Sequence, residues 1–309
     1  MHVMKILILG YSNLAKRKII PSLKKIKSTK FDVASVSSPP INNGHSSWYR
    51  NYNQALNKSS AKIVYISLVN SLHYHFINLA INLGKHVIVD KPISLKNQEV
   101  KKLLKKAKKK RLMLSEALTF NYHRQFFELQ RIIKKNRPII NIIMKFNIPR
   151  PKKNDTKLSN KLGGGCFNDM IPYAAEINRI FLKKNIDITS LISKSKNNLS
   201  ESFSINTTNK KTEFYGFFSH NSEYENFIIL SSDDYLVRLD RFCAPPDSSK
   251  LIVFYKKNNV LKKIKIKEDD MFQNFFIEFF KKLKKKQFNY QHARILFNSN
   301  FKENVIKKS

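Results

Sequence analysis

Along the first 120 residues, two patterns of apolar and polar positions follow each other in turn. Short runs that are almost entirely apolar, such as Val3 to Leu9 with its single lysine, are typical of strands buried on both faces of a sheet. Longer stretches repeat apolar residues every three or four positions, which indicates amphipathic helices. The predicted strands are 3–9, 31–36, 62–68, 85–89 and 112–115, and the predicted helices are 13–27, 71–83 and 96–109. This alternation predicts an α/β fold with a doubly wound parallel sheet, which binds ligands beyond the carboxyl ends of its strands.

The pattern changes near residue 120, which predicts a division into two domains, 1–120 and 121–309. In the second part, extended runs follow one another directly, which indicates antiparallel pairing in an α+β domain. The expected helices of this part are 122–135, 166–182, 271–285 and 291–307, and the expected strands are 139–148, 188–192, 213–219, 226–230, 235–239, 251–255 and 260–266.

The chain carries 58 basic and 22 acidic residues, which gives a formal charge of +36 at pH 7. Such a balance is compatible with a polyanionic partner, either nucleic acid or an anionic membrane. Arginine, which binds bases and phosphates through two bonds at once, is sparse, and the densest lysine runs lie on helical patterns with an apolar stripe. We therefore expect no specific nucleic-acid partner and no membrane association.

The two cysteines, Cys166 and Cys243, are too few for a disulfide framework, and neither has the spacing of a metal ligand. The apolar start of the chain is too short for a signal peptide, and no segment reaches the length of a membrane span, about 18 residues. These features predict a soluble cytoplasmic protein without a bound metal.

The turn from Gly10 to Ala15 lies between the first predicted strand and the first predicted helix. In dinucleotide-binding folds the turn at this position binds the phosphates. Ser12 and Ala15 stand where the consensus has glycine, so Ser12 must either bond a phosphate oxygen or hold the chain away from it. No carboxylate that would bind the adenosine ribose follows the second strand, where Ser37 lies. The absence of this carboxylate favours NADP slightly over NAD. The pattern from Gly10 to Ala15 fits a plain turn between strand and helix equally well.

Three consecutive glycines, residues 163–165, precede Asp169 and Tyr173. A glycine run lets the backbone bend or approach a ligand closely. If a helix begins after it, the acid and the phenol lie one turn apart on one face, beside bare backbone amides. The segment is therefore either a site for a hydroxyl or carbonyl group, or a loop followed by an ordinary amphipathic helix.

Seven short motifs follow one another along the chain in a characteristic order and spacing. They are Gly10-x-Ser12-x-Leu14-Ala15, Asn70-Ser71-Leu72-His73, Gly84-Lys85-His86-Val87, Asp90-Lys91-Pro92, Ser115-Glu116-Ala117, Tyr122-His123-Arg124-Gln125 and Gly163-Gly164-Gly165-x-x-x-Asp169-x-x-x-Tyr173. In this order and spacing the chain resembles the glucose–fructose oxidoreductase, inositol dehydrogenase and rhizopine-catabolism (Gfo/Idh/MocA) family. Asp90 stands where glutamate is usual in that family.

The resemblance implies an NAD(P)-dependent oxidoreductase with an N-terminal Rossmann domain (1–120) and a substrate-binding α+β domain (121–309) whose sheet is open and mostly antiparallel. It implies hydride transfer between nicotinamide and a carbonyl or hydroxyl of a sugar or nucleotide-sugar, and it leaves room for a homo-oligomer. Residues implied to bind the cofactor are Gly10, Ser12, Asn13, Leu14, Ser37, Asn70, His73 and Lys91.

The same resemblance implies three catalytic residues. Tyr173 is the expected acid or base, Lys91 assists it, and Asp169 binds the substrate. Tyr173 replaces the histidine of many members, and with Ser12 and the segment 240–246 it resembles the nucleotide-sugar 3-ketoreductases. Two alternatives remain: a catalytically silent dinucleotide-binding regulator, and a basic nucleic-acid-binding protein.

Overall fold

The computed structural model describes residues 3–36, 44–183, 186–247, 251–296 and 304–307. These residues belong to two compact units, and each unit combines two stretches of the chain. The first unit is Met1–Leu118 with Phe272–Gln291, and the second is Thr119–Met271 with His292–Ser309. In the ranges described, none of the helices combines the length and the apolar character that a bilayer crossing requires.

The first unit contains a parallel six-stranded sheet. Its strands are β1 (Met4–Leu9), β2 (Thr29–Ala34), β3 (Trp48–Tyr49), β4 (Ile63–Ile66), β5 (His86–Val89) and β6 (Leu114–Glu116). They are arranged in the order β3-β2-β1-β4-β5-β6, which is the order of a Rossmann fold. The central strands β1 and β4 are mostly apolar, and residues 6–9 of β1 and all of β4 are buried because helices cover both faces. The predicted α/β class with a doubly wound sheet is confirmed.

A π-helical turn, Ala15–Ile19, leads into the first of the helices around this sheet. The helices are α1 (Ile20–Lys24), α2 (Tyr52–Lys58), α3 (Asn70–Asn82), α4 (Asn97–Lys109) and, from the far end of the chain, Met271–Lys284. We label this last helix α7, because two helices of the second unit precede it.

Helix α7 corrects the predicted domain division, which assigned all residues after 120 to the second domain. Residues 272–291 belong to the first unit. The buried phenylalanines of α7 explain the assignment, because Phe276 packs against Tyr65 of β4 with ring centroids 5.8 Å apart. After the helix, Phe288 contacts His86 of β5 at 5.9 Å.

The second unit contains a nine-stranded sheet. Its strands are β7 (Asn141–Asn147), β8 (Asp187–Lys196), β9 (Leu199–Thr208), β10 (Glu213–Ser219), β11 (Glu225–Ser231), β12 (Tyr235–Asp240), β13 (Leu251–Lys257), β14 (Val260–Ile266) and β15 (Asn304–Lys307). The order is β14-β13-β12-β11-β7-β10-β9-β8-β15. Only the pairs β7–β10 and β8–β15 are parallel, so the expected mostly antiparallel sheet is confirmed.

Helices α5 (Arg124–Lys134) and α6 (Cys166–Ile177) accompany this sheet, and α6 continues as a π-helical turn, Asn178–Leu182. The predicted helix 291–307 is wrong at its end, where Asn304–Lys307 is the strand β15. A helix, α8, forms at Ala293–Leu296, and the part of the prediction between 296 and 304 lies outside the described residues. The apolar pair Val305 and Ile306 fits either period, and pairing with β8 decides for the strand.

Candidate functional site

The turn after β1 presents the start of a helix at the carboxyl edge of the first sheet. Gly10 has a φ of +99°, and a Cβ atom there would lie 2.2 Å from the carbonyl oxygen of Ser67. Glycine is therefore required for the loops after β1 and β4 to approach each other. Helical turns begin at Asn13, and the first amides of a helix have no intrahelical acceptor. Dinucleotides bind between these two strands in this topology, with the pyrophosphate at that helix start.

Ser12 directs its hydroxyl into the unit. Its Oγ accepts a hydrogen bond from the amide of Ala15 at 3.0 Å and lies 2.7 Å from Oγ of Ser67. Ser67 donates its own proton to Asp90 at 2.6 Å, so Ser12 is the donor to Ser67. The hydroxyl therefore caps the helix and links three strand ends. A phosphate contact of Ser12 would have to come from its backbone.

Asp90 is the centre of a buried polar cluster at the ends of β4 and β5. Its Oδ1 accepts from the hydroxyl of Tyr65 at 2.6 Å, and its Oδ2 accepts from Ser67. Burial raises the pKa of Asp90, while the hydrogen bonds from Ser67 and Tyr65 and the charges of His73 and Lys91 act to lower it. The cluster fixes the backbone next to half-buried Lys91.

Helix α3 carries the other two residues expected near the cofactor. Asn70 is its first residue and is half-buried. His73 is fully buried, with Nδ1 2.7 Å from the carbonyl oxygen of Pro92 and Nε2 3.0 Å from that of Leu68. Each ring nitrogen of His73 therefore lies within hydrogen-bond distance of a backbone carbonyl oxygen. His73 thus links the turns after β4 and β5, and its ring nitrogens are not available to a cofactor.

The other expected cofactor residues differ in their placement. Asn13 and Leu14 are exposed at the helix start that follows β1. Ser37, the residue expected near the ribose, lies outside the described residues, which stop at Val36 and resume at Gly44.

In the second unit, the three glycines allow two backbone segments to pack closely before α6. Gly163 and Gly165 have φ values of +79° and +94°. A Cβ atom on Gly164 would lie 2.5 Å from the carbonyl oxygen of Lys157. All three glycine amides donate to carbonyl groups within residues 157–160. The expectation of bare amides is wrong, because these amides are already bonded to the neighbouring turns.

Helix α6 places Asp169 and Tyr173 one turn apart, and both are half-buried. The ring of Tyr173 packs edge-on against Phe146 of β7 at 5.3 Å and contacts Phe120 at 5.9 Å. These contacts hold the ring on two sides, so its orientation is set by packing. Asp169 lies in the first helical turn, where the helix dipole favours a carboxylate.

Asp169 has a partner that the sequence analysis missed. Nε2 of His220 lies 3.0 Å from its Oδ2, and His220 is 3% exposed. His220 follows β10, 51 residues further along the chain. A single histidine after a strand has no local pattern that indicates such a partner, so only the pairing of α6 with the sheet reveals it.

Two motifs that contributed to the family resemblance have packing roles in the second unit. His123 precedes α5 and caps it, because its Nδ1 accepts from the amide of Gln125 at 3.2 Å. The side chain of Gln125 donates to the carbonyl of Phe242 at 3.3 Å, and the buried ring of Phe242 lies 5.1 Å from Phe120. In the described part of the chain, no three His, Cys, Asp or Glu residues are grouped to hold a metal.

The glycine-dependent turn at β1 and the Rossmann strand order agree with a comparison of sequences. Residues 4–118 match the model of an oxidoreductase family with an NAD-binding Rossmann fold. Over these residues the chain matches the Gfo/Idh/MocA family. The family predicted from separated motifs is confirmed, and so is a nicotinamide dinucleotide as the type of cofactor that its fold binds. Two relatives and one solved structure extend the comparison beyond the Gfo/Idh/MocA match.

An uncharacterised oxidoreductase of Rhizobium meliloti is 28% identical over 203 residues, which is 58% of this chain and 59% of that protein. A dTDP-3,4-didehydro-2,6-dideoxy-alpha-D-glucose 3-reductase of Saccharopolyspora spinosa is 22% identical over 276 residues, 85% of this chain and 82% of that protein. The chain thus spans about three fifths of the first relative and most of the second.

A solved structure covers the whole chain. It is a 3-ketoreductase from Actinomadura kijaniata in complex with NADP and TDP-benzene, with a TM-score of 0.90, 17% identity and 100% coverage of both chains. At this identity the likeness establishes the fold of both units.

Proposed function

We propose that the protein is an NADP-dependent oxidoreductase that transfers a hydride between nicotinamide and a carbonyl or hydroxyl group of a sugar, most specifically a nucleotide-linked keto-sugar. The observation that carries this proposal is the full-length fold shared with a 3-ketoreductase in complex with NADP and TDP-benzene. The dTDP-sugar 3-reductase relative supports the same substrate class.

The residues of the first unit fit a dinucleotide. We assign the pyrophosphate to the exposed amides of Asn13 and Leu14, with Gly10 leaving space for its approach. Asn70 and Lys91 would border the nicotinamide. When bound, the cofactor supplies or accepts the hydride. His73 and Ser12 take positioning roles, because their polar side-chain atoms are already bonded inside the unit.

Reduction of a ketone places negative charge on oxygen, and an acid must then protonate it. Tyrosine, with an ordinary pKa of about 10, is a suitable donor at neutral pH. We assign this step to Tyr173, whose ring is held by Phe146 and Phe120. A lysine ammonium stabilises a phenolate, and we assign this assisting role to Lys91. Asp169 would orient a substrate hydroxyl.

The test combines cofactor binding with turnover. Wild type should bind NADPH and oxidise it with nucleotide-linked keto-sugars from a panel that also contains free keto-sugars. Tyr173→Phe should lower kcat by about 10²- to 10⁴-fold, the usual contribution of general acid catalysis, and still bind NADPH. Lys91→Ala should also lose most turnover. Tyr224→Phe, an exposed tyrosine of the same unit as Tyr173, is the matched control.

Full activity in both variants on a true substrate would contradict the assigned roles. NADPH binding without turnover of any sugar by the wild type would favour a regulator that binds dinucleotides. The cytoplasm remains our prediction for the compartment.

The outer face of the second sheet supports a further proposal, that two copies of this chain form a dimer. Ile143, Tyr215, Phe217 and Leu236 are each between 38% and 44% exposed on one side of this sheet. Apolar side chains in one patch of this kind are typical of protein interfaces. Light scattering should give the mass of a dimer, and Ile143→Lys should shift it towards the monomer without changing the circular dichroism spectrum.

A further inference from the structure

His220 and Asp169 come from two elements that are fixed against each other. His220 follows β10, whose last residue, Ser219, pairs with β7 on one side and with β9 on the other. The amide of His220 donates to the carbonyl of Glu201 at 2.8 Å, which anchors the residue beyond the end of the strand. Helix α6 is attached to the same region, because the amide of Phe167 donates to Oγ of Ser200 at 3.3 Å. Neither partner can shift without breaking strand or helix contacts.

The hydrogen bond between the two side chains is nearly closed to solvent. Nε2 of His220 lies 3.0 Å from Oδ2 of Asp169, and the two side chains are 4% and 14% exposed. A carboxylate only accepts hydrogen bonds, so Nε2 of His220 carries the proton. Bonds to a charged acceptor are about twice as strong as neutral ones, and low local polarity strengthens them further. The contact therefore restricts the rotation of the Asp169 carboxylate.

On another side, His220 reaches a polar cavity within the second unit. The cavity has a volume of about 210 Å³, enough to hold water, and Arg150, Lys196 and Glu201 are its charged lining residues. His220 thus both lines this cavity and contacts Asp169. This arrangement differs from that of a histidine packed only for its shape.

We propose that His220 is a positioning residue for Asp169: it holds the carboxylate in the orientation that binds the substrate hydroxyl. This inference depends on the proposed function for the role of Asp169, and it adds a residue outside the motifs from which the family resemblance was inferred. The substrate contact itself belongs to Asp169. His220 acts through it, so its loss should weaken substrate binding while NADPH binding is unchanged.

The variants exploit the shape of the imidazole. Glutamine places an N–H group near the position of Nε2, whereas leucine has none. His220→Leu should lower kcat/KM by roughly 10- to 100-fold, the worth of one hydrogen bond to a charged group, with most of the effect in KM. His220→Gln should recover most of this loss. His75→Gln, an exposed histidine of α3, is the matched control and should behave as wild type.

A double-mutant cycle separates positioning from a general structural effect. On an Asp169→Asn background, His220→Gln should have almost no further effect on kcat/KM, because the carboxylate it positions is already absent. Additive effects of the two substitutions would overturn the proposal. The cycle also stands if His220→Leu fails to fold, since it uses only the two conservative variants.

A spectroscopic measurement tests the contact without turnover. In protein with ¹⁵N-labelled histidine, the His220 signals are identified by their loss in His220→Gln. Wild type should show a protonated, strongly hydrogen-bonded Nε2, and Asp169→Asn should shift that signal. An unchanged signal overturns the inference even if the enzyme is active. A shifted signal in a protein that reduces no sugar instead upholds the contact and rejects the proposed function.

Discussion

Replacing Tyr65 by phenylalanine removes one donor from the buried cluster around Asp90. The hydroxyl lies 2.6 Å from Oδ1 of Asp90, and the Tyr65 side chain is fully buried. Burial and the neighbouring carboxylate both raise the pKa of Tyr65 well above its usual value, so it remains a donor at all ordinary pH. A hydrogen bond to a charged group contributes about 1.5–3 kcal/mol to stability. Since no polar group replaces the hydroxyl, Tyr65→Phe should lower the free energy of unfolding by that amount.

The chain provides a control variant in which the same substitution should not lower the free energy of unfolding. The hydroxyl of Tyr235 in β12 is buried and has no hydrogen-bond partner among the described residues. Burial raises the pKa of Tyr235 to about 12. Removing a buried polar group that is already unpaired recovers its desolvation cost, so Tyr235→Phe should be neutral or stabilise the protein by about 1 kcal/mol. The two substitutions are chemically identical, and only the environment differs.

Unfolding in urea gives the free energy of unfolding of both variants, and unfolding by heat gives their melting temperatures. The single tryptophan, Trp48 in β3, reports on the first unit through its fluorescence, and circular dichroism reports on the whole chain. Tyr65→Phe should lower the melting temperature of the tryptophan transition by roughly 5–12 °C for a unit of this size. A loss below about 0.5 kcal/mol in Tyr65→Phe, or an equal loss in both variants, would refute the role given to the cluster.

Two further predictions concern the turn at β1 and the cap of α5. Gly10→Ala should abolish NADPH binding in a fluorescence titration, because the added Cβ atom would meet the backbone at Ser67. Gly84→Ala is the control and should retain NADPH binding, since Gly84 also has a positive φ but a Cβ atom there would have nothing within 4 Å. Equal affinities of the two variants for NADPH would contradict the steric argument. Burial lowers the pKa of His123, so its contribution to stability is complete above the ordinary histidine value and is lost as pH falls through the lowered one. His123→Asn keeps an oxygen acceptor for the amide of Gln125 and should flatten the loss of stability between about pH 7 and pH 5 in urea titrations; a slope equal to that of wild type would refute this assignment.

The first sheet could be predicted from the sequence because its strands are buried on both faces. In the run from Met4 to Leu9 only Lys5 is polar, and helix α4, which follows β5, has a clear apolar stripe. β3 and α2 were missed because they are short and carry few apolar residues. Burial on both faces therefore gives the clearest signal.

Strand β9 shows why the second sheet was harder to predict. Only Phe203, Ile205 and Thr207 of its ten residues are buried, and the rest are mostly serine, threonine and asparagine on an accessible face. The turn before it, with Asn197 and Asn198 at positive φ, is a hairpin signal that the apolar pattern does not include. Pairing with β8 and β10 supplies the order that local pattern lacks.

The candidate site also has a part that the sequence predicts and a part that it does not. Gly10, Asp169 and Tyr173 were found because they belong to motifs with fixed spacing. No sequence motif indicates the direction in which a side chain points. Neither the inward hydroxyl of Ser12 nor the contact of His220 with Asp169 follows from the order of residues.

The return of α7 to the first unit has a consequence for how this protein is made. A ribosome releases residues 1–118 long before the phenylalanines that cover Tyr65 exist. The apolar surface of the Rossmann sheet that α7 covers therefore stays uncovered while the entire second unit is synthesised. A gene shortened after residue 118 would encode an aggregation-prone fragment, whereas one that fuses 1–118 to 272–291 would restore the missing helix.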